Sequence, residues 1–138
     1  MPRIIRIVTS SLGTFEAVSP PFNIREPEAE ENINIALSIL ESAAAYKPDL
    51  VVLPETFKLA GMGTGKIKEI AEPISGPTVQ MLSEKAREGN HNLIAGHMLI
   101  DENGKFTNSA LVFNRQGNLV GKYDKNYPVE SEIDFGIQ

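Results

Sequence analysis

Cysteine is missing altogether from this sequence. That excludes disulfides, thiolate metal ligands and thiol nucleophiles within these residues. Tryptophan is also absent, and histidine occurs only as His91 and His97, neither with an acidic residue at ligand-like spacing. No metal site and no cofactor are expected, and both histidines read as structural. No apolar run approaches the length needed to cross a bilayer, and the one after Met1-Pro2-Arg3 is too short for the core of a secretory leader. A cytoplasmic protein with no membrane partner is expected. Positive charge is scarce as well, with 13 Lys plus Arg against 18 Asp plus Glu and a formal charge of -5. Such a balance offers no surface for a polyanion, so nucleic acid is not an expected partner.

What is present suits one globular domain over residues 1–138. Hydrophobic residues make up 41% and charged residues 22% of the 138, and a chain of this size buries about 68% of its unfolded surface on folding. Ile4 to Val8 reads as a first strand. Phe15 to Pro27, with Pro20, Pro21 and Pro27, reads as a loop because proline removes backbone donors. From Glu28 to about Tyr46 the spacing predicts a helix whose inner face carries Ile33, Leu37, Leu40 and Ala44. Leu50 to Leu53 is an unbroken apolar run, suited to a strand covered on both faces. A second helix is expected from Pro77 to Gly89 with Val79, Leu82 and Ala86 inward. Strands follow at Asn92 to Ile100, Asn108 to Asn114 and Leu119 to Tyr123, separated by turns at Asp101 to Gly104 and Gln116 to Asn118. The order is βαβ, a helix, then antiparallel strands.

Two residues stand where chemistry gathers. Glu55 follows the apolar strand directly after Pro54, at the carboxyl end where ligands collect in open α/β sheets, and desolvation there would make it a useful base. The plain reading is a loop-end glutamate paired with a lysine. Lys125 stands at the end of another strand and could set an ammonium against a developing oxyanion; the plain reading is a surface lysine. Gly61-x-Gly63-x-Gly65-Lys66 hints at a phosphate loop and a nucleotide-binding α/β domain. Ala60 and Ile67 break that motif at its first glycine and its magnesium-binding position, and a mobile loop near an active-site mouth is the better expectation. Phe57 and Met62 are read as pocket lining or as ordinary packing.

Leu53-Pro54-Glu55-Thr56-Phe57, Gly76 with its helix, Ala95-Gly96-His97, Asn108-Ser109-Ala110, and Tyr123-Asp124-Lys125 with Pro128 and Glu132 resemble, in order and spacing, the nitrilase or carbon-nitrogen hydrolase superfamily. The resemblance implies the N-terminal half of an αββα four-layer sandwich, a mixed sheet flanked by two helices. It also implies a Glu-Lys-Cys triad that cleaves a non-peptide C–N bond of a small amide, carbamoyl compound or nitrile through a thioester. Glu55 would be the general base, Lys125 the oxyanion stabiliser, and Glu132 a second glutamate that positions the lysine and substrate. The other reading of Glu132 is one acid among Glu130, Glu132 and Asp134 on a solvated turn. The family's cysteine lies beyond the lysine, and the sequence carries none. Residues 1–138 are therefore expected to form a partial domain without hydrolase activity of its own, and to self-associate as a homo-oligomer. A non-catalytic half-domain acting as a binding or assembly module is the alternative.

Overall fold

The computed structural model describes residues 4–11 and 27–137. A five-stranded mixed sheet runs in the order β1 (Ile7–Thr9), β2 (Leu50–Val52), β3 (Asn92–Ile100), β4 (Phe106–Phe113), β5 (Leu119–Asp124). The first three strands are parallel, and β3, β4 and β5 form an antiparallel meander. Helices α1 (Ala29–Ala44) and α3 (Pro77–Glu88) are the long ones, with one-turn helices α2 (Ile67–Ile70) and α4 (Glu130–Asp134). The predicted loop from Phe15 to Pro27 lies outside the described residues except for Pro27.

Alternation along the strands sends successive side chains to opposite faces. Val51, Leu93, Ala95, Leu99, Leu111 and Phe113 form one buried cluster with Ala36, Leu40 and Ala43 of α1 and Val79, Leu82 and Ala86 of α3. On the opposite face the register sets Ile7 beside Leu50, Val52 beside Ile94, Ile94 beside Val112, and Ala110 beside Tyr123. There Ile7 is 58% exposed and Tyr123 59% exposed, and Leu50, Val52, Ile94, Ala110 and Val112 are half-buried. Among the described residues, cover on this outer face is confined to its end, where Leu59, Ile67, Ile70 and Ile137 pack on Met98.

The second helix and the three meander strands match the expectation closely. Both hairpin loops close the same way: Gly104 N–H donates to Asp101 O and Gly117 N–H to Asn114 O, both at φ near +80°. Glycine adopts that conformation without steric conflict. The inner face of α1 is shifted from the predicted one. It is built on Asn32, Ala36, Leu40 and Ala43, because Asn32 turns inward to donate to Lys58 O (3.1 Å) and Ala60 O (2.8 Å). The first strand begins three residues later than expected, and Ile4 and Ile5 are exposed.

The glycine-bearing stretch differs most from its expectation. Where a loop was expected, Thr64–Lys66 is a 3-10 turn leading into α2, and Ile67 and Ile70 are buried. Lys66 pairs with Glu69 at 2.9 Å. Phe57 is fully buried in the main core and Met62 packs on the smaller cluster, so both serve packing.

Candidate functional site

The site begins at a break in the sheet. Strand β2 runs beside β3 as far as Leu53, whose N–H donates to Ile94 O at 2.9 Å. Pro54, having no N–H to offer a ladder, leaves it. The chain returns to the same row only at Glu72, whose N–H reaches Met98 O (3.2 Å) and whose O accepts from Ile100 N–H (3.0 Å). Glu55 and Thr56 fill the intervening gap over Gly96. A Cβ on Gly96 would lie 2.7 Å from Thr56 N and 2.9 Å from Glu55 Cα. Thr56 is left-handed at φ 46°, a conformation that costs a β-branched residue about 1–3 kcal/mol. The strain is local to the residue after Glu55.

Glu55, Lys125 and Glu132 come together across as many as 77 positions of sequence. Lys125 follows β5, and its N–H donates to Asn108 O at 2.8 Å. Its Nζ lies 3.1 Å from Glu55 Oε1 and 3.0 Å from Glu132 Oε2. Glu132, in the first turn of α4, also accepts the Val129 N–H on Oε2 at 2.8 Å. Asn108 Nδ2 donates to Glu55 Oε1 and to Glu132 Oε1, each at 2.8 Å. The four side chains form a closed ring of hydrogen bonds containing two carboxylates and one ammonium. Glu132 is not on a solvated turn: its side chain is 8% exposed, against 64% for Glu55.

Electrostatics favour the charged forms of the inner pair. Burial pulls the Lys125 ammonium down, but the hydrogen bonds it donates to Glu132 and Glu55 outweigh it, and the lysine titrates above its ordinary value. Desolvation pushes Glu132 up, and the Val129 N–H, the Asn108 amide and Lys125 together bring it below the usual carboxylate range. A cation fixed beside a base, with the base's outer face open, can stabilise negative charge developing on a substrate next to it.

Behind the site lies a second polar cluster that sequence reasoning missed. Lys58, 8% exposed, pairs with Glu72 Oε1 and donates to Ile70 O at 3.2 Å. Glu72 in turn accepts from Thr78 N–H (2.8 Å) and Thr78 Oγ1–H (2.6 Å) at the start of α3. His97 Nε2 is 3.9 Å from Glu72 Oε2, and neither ring nitrogen has a hydrogen-bond partner among the described residues. Burial, reinforced by Lys58 and opposed by Glu72, holds the His97 pKa down to about 4. Both histidines are fully buried. Asn108 was also missed as a site residue. A signal for it existed: Thr107, Asn108 and Ser109 form a polar run at the start of a strand that continues as Ala110 to Phe113, and a buried amide must find partners. Among the described residues no group of His, Asp and Glu could hold a metal ion, and no helix is long and apolar enough to cross a membrane.

Comparison with known proteins identifies the family. The chain is 35% identical over 112 residues to omega-amidase NIT2-B of Xenopus laevis, covering 81% of this chain and 40% of that one. It therefore spans about two fifths of the length of that relative. An N-terminal amidase superposes with a TM-score of 0.75 at 23% identity, over 97% of this chain and 30% of its own, a likeness of fold. Nit3 of Saccharomyces cerevisiae, a nitrilase-superfamily member, superposes at 0.70 and 25% identity, over 81% of this chain and 43% of its own. The carbon-nitrogen hydrolase profile matches residues 18–135. With that match spanning most of the sequence and the sheet superposing on these neighbours, the chain belongs to the carbon-nitrogen hydrolase family.

Proposed function

We propose that residues 1–138 are the glutamate- and lysine-bearing part of an amidase that hydrolyses a non-peptide C–N bond in a small amide or carbamoyl compound. The observation that carries this reading is the ring in which Lys125 Nζ lies within 3.1 Å of both Glu55 and Glu132. In it Glu55 is the general base that receives the proton of a cysteine thiol. Lys125 stabilises the oxyanion of the tetrahedral intermediate, and Glu132 holds Lys125 in place. Since the 138 residues contain no cysteine, the nucleophile belongs to a segment outside them, and these residues alone do not turn over substrate. The likeness to omega-amidases favours an amide over a nitrile.

The test is to read the codons after Gln138, express the longer product, and assay ammonia release from small amides, N-carbamoyl compounds and nitriles. An in-frame continuation carrying a cysteine, with amide hydrolysis lost in Glu55→Gln, supports the reading. Ammonia release by residues 1–138 alone that survives repurification and disappears in Glu55→Ala would show the nucleophile to be misassigned.

A second reading is supported by the outer face, which the described residues leave largely uncovered. Ile7, Leu50, Val52, Ile94, Val112 and Tyr123 form an apolar surface on which another sheet or subunit can dock. An immediate stop codon after Gln138, with stable partner binding and no hydrolysis, would favour a non-catalytic assembly module.

A further inference from the structure

We propose that Asn108 is a positioning residue for this site: its carboxamide holds Glu55 and Glu132 by one oxygen each, leaving Glu55 Oε2 as the oxygen that takes the proton. The purpose assigned to Asn108 rests on the amidase reading; the arrangement itself does not.

Asn108 lies mid-strand in β4 and is 4% exposed. A buried amide N–H without a partner costs about 1–3 kcal/mol, so a polar residue here needs its donors used. Both bonds from Nδ2 go to carboxylates of different elements, Glu55 Oε1 beyond β2 and Glu132 Oε1 in α4. The backbone O of the same residue accepts the Lys125 N–H at 2.8 Å. One residue thus bonds both carboxylates through its side chain and the backbone of Lys125 through its carbonyl.

The choice of an amide has a physical reason. Two carboxylates at one ammonium leave an excess negative charge, and the pair repels unless further donors are supplied. A second cation would supply them but would compete with Lys125 for the same oxygens and cancel its field. A neutral amide donates at every pH and adds no charge. It also tethers Glu55, whose side chain is otherwise 64% exposed, by Oε1, the oxygen that already accepts from Lys125. Among the described residues both hydrogen bonds to the Glu55 carboxylate fall on Oε1 and none on Oε2.

The experiment uses residues 1–138 labelled with carboxyl-13C glutamate and 15N asparagine, followed by NMR. In the unmodified chain both Nδ2 protons of Asn108 should exchange at least roughly tenfold more slowly than those of Asn103, which sits on an exposed turn. Exchange at the Asn103 rate overturns the proposal whatever the variants do. In Asn108→Ala the Glu132 carboxyl should titrate at higher pH than in the unmodified chain, a change that loss of packing alone would not produce. An unchanged Glu132 titration in folded Asn108→Ala also overturns it. If that variant shows no cooperative melting, the uncharged and similarly sized Asn108→Leu, which loses both donors without adding charge, decides by the same shift. None of these readouts involves turnover, so they stand or fall separately from the amidase reading.

Discussion

Gly96 lies directly beneath Glu55, with no room between them for a methyl group: a Cβ there would come within 2.9 Å of Glu55 Cα and 2.7 Å of Thr56 N. Both atoms are backbone, so relief requires the turn that carries Glu55 to move. Gly96→Ala should therefore destabilise the chain by about 1–3 kcal/mol and displace Glu55 from Lys125. Chemical denaturation measures the first effect. A variant as stable as the parent, with the Lys125 ammonium resonance unchanged, would show that the contact is soft.

Lys125 is the only cation in the ring. Lys125→Ala, made in a longer product that carries the cysteine, should remove an oxyanion donor worth about 3–4 kcal/mol, a loss of about 10² to 10³ in kcat. Retention of more than half of kcat would contradict the role given to it.

His97 makes folding sensitive to mild acid. Its folded pKa is held near 4 by burial, below the unfolded value of about 6.5. The unfolded chain therefore takes up a proton first, so the stability contributed by neutral His97 is complete above about pH 6.5 and is lost as pH falls toward 4. By pH 5 the loss is on the order of 2 kcal/mol. Glu72, held below the ordinary carboxylate range despite its burial, loses its contribution only at lower pH. Urea midpoints at pH 7 and pH 5 should differ in the parent and converge in His97→Gln. His91 titrates in the same sense, and an undiminished difference in the variant would assign the effect there.

The outer face should drive association. At about 25 cal/mol per Å², covering 600 Å² of apolar surface favours it by roughly 15 kcal/mol before entropic and desolvation costs, which consume much of that. Residues 1–138 should sediment as a dimer or larger species at micromolar concentration. Val52→Lys and Ile94→Lys, each on that face, should return it toward 15.1 kDa. A monomeric parent that binds no hydrophobic dye would mean the face is covered otherwise.

What the letters conveyed depended on whether periodicity or partners decided the outcome. Helix α3 and the meander were legible because Val79, Leu82 and Ala86 repeat at helical spacing and each hairpin turn carries a glycine where positive φ is required. The inner face of α1 was placed on Ile33, Leu37 and Ala44 as well as Leu40, because the burial of Asn32 depends on the carbonyls of Lys58 and Ala60, which no helical pattern encodes. Gly61 to Gly65 suggested an irregular loop, yet its end forms a 3-10 turn, and Met62, Ile67 and Ile70 pack in one cluster with Met98. The meeting of Glu55, Lys125 and Glu132 was expected through family resemblance. The residues that complete their surroundings, Asn108, Lys58 and Glu72, look like ordinary polar positions until the fold removes water from them.

The change from parallel to antiparallel pairing at β3 should divide the assembly of the site in time. Strands β3, β4 and β5 are joined by five-residue hairpin loops, and close pairings of this kind form early because little loop entropy opposes them. Asn108, Lys125 and Glu132 all belong to that stretch or to the turn of helix after it. Glu55 arrives by the parallel pairing of β2 with β3, which must close across the whole of α3. The lysine side of the ring should thus be formed before its base docks. In pulse-labelled refolding, the amides of Leu93 to Phe113 should gain protection ahead of those of Val51 and Val52, and simultaneous protection would mean that the sheet closes in one step.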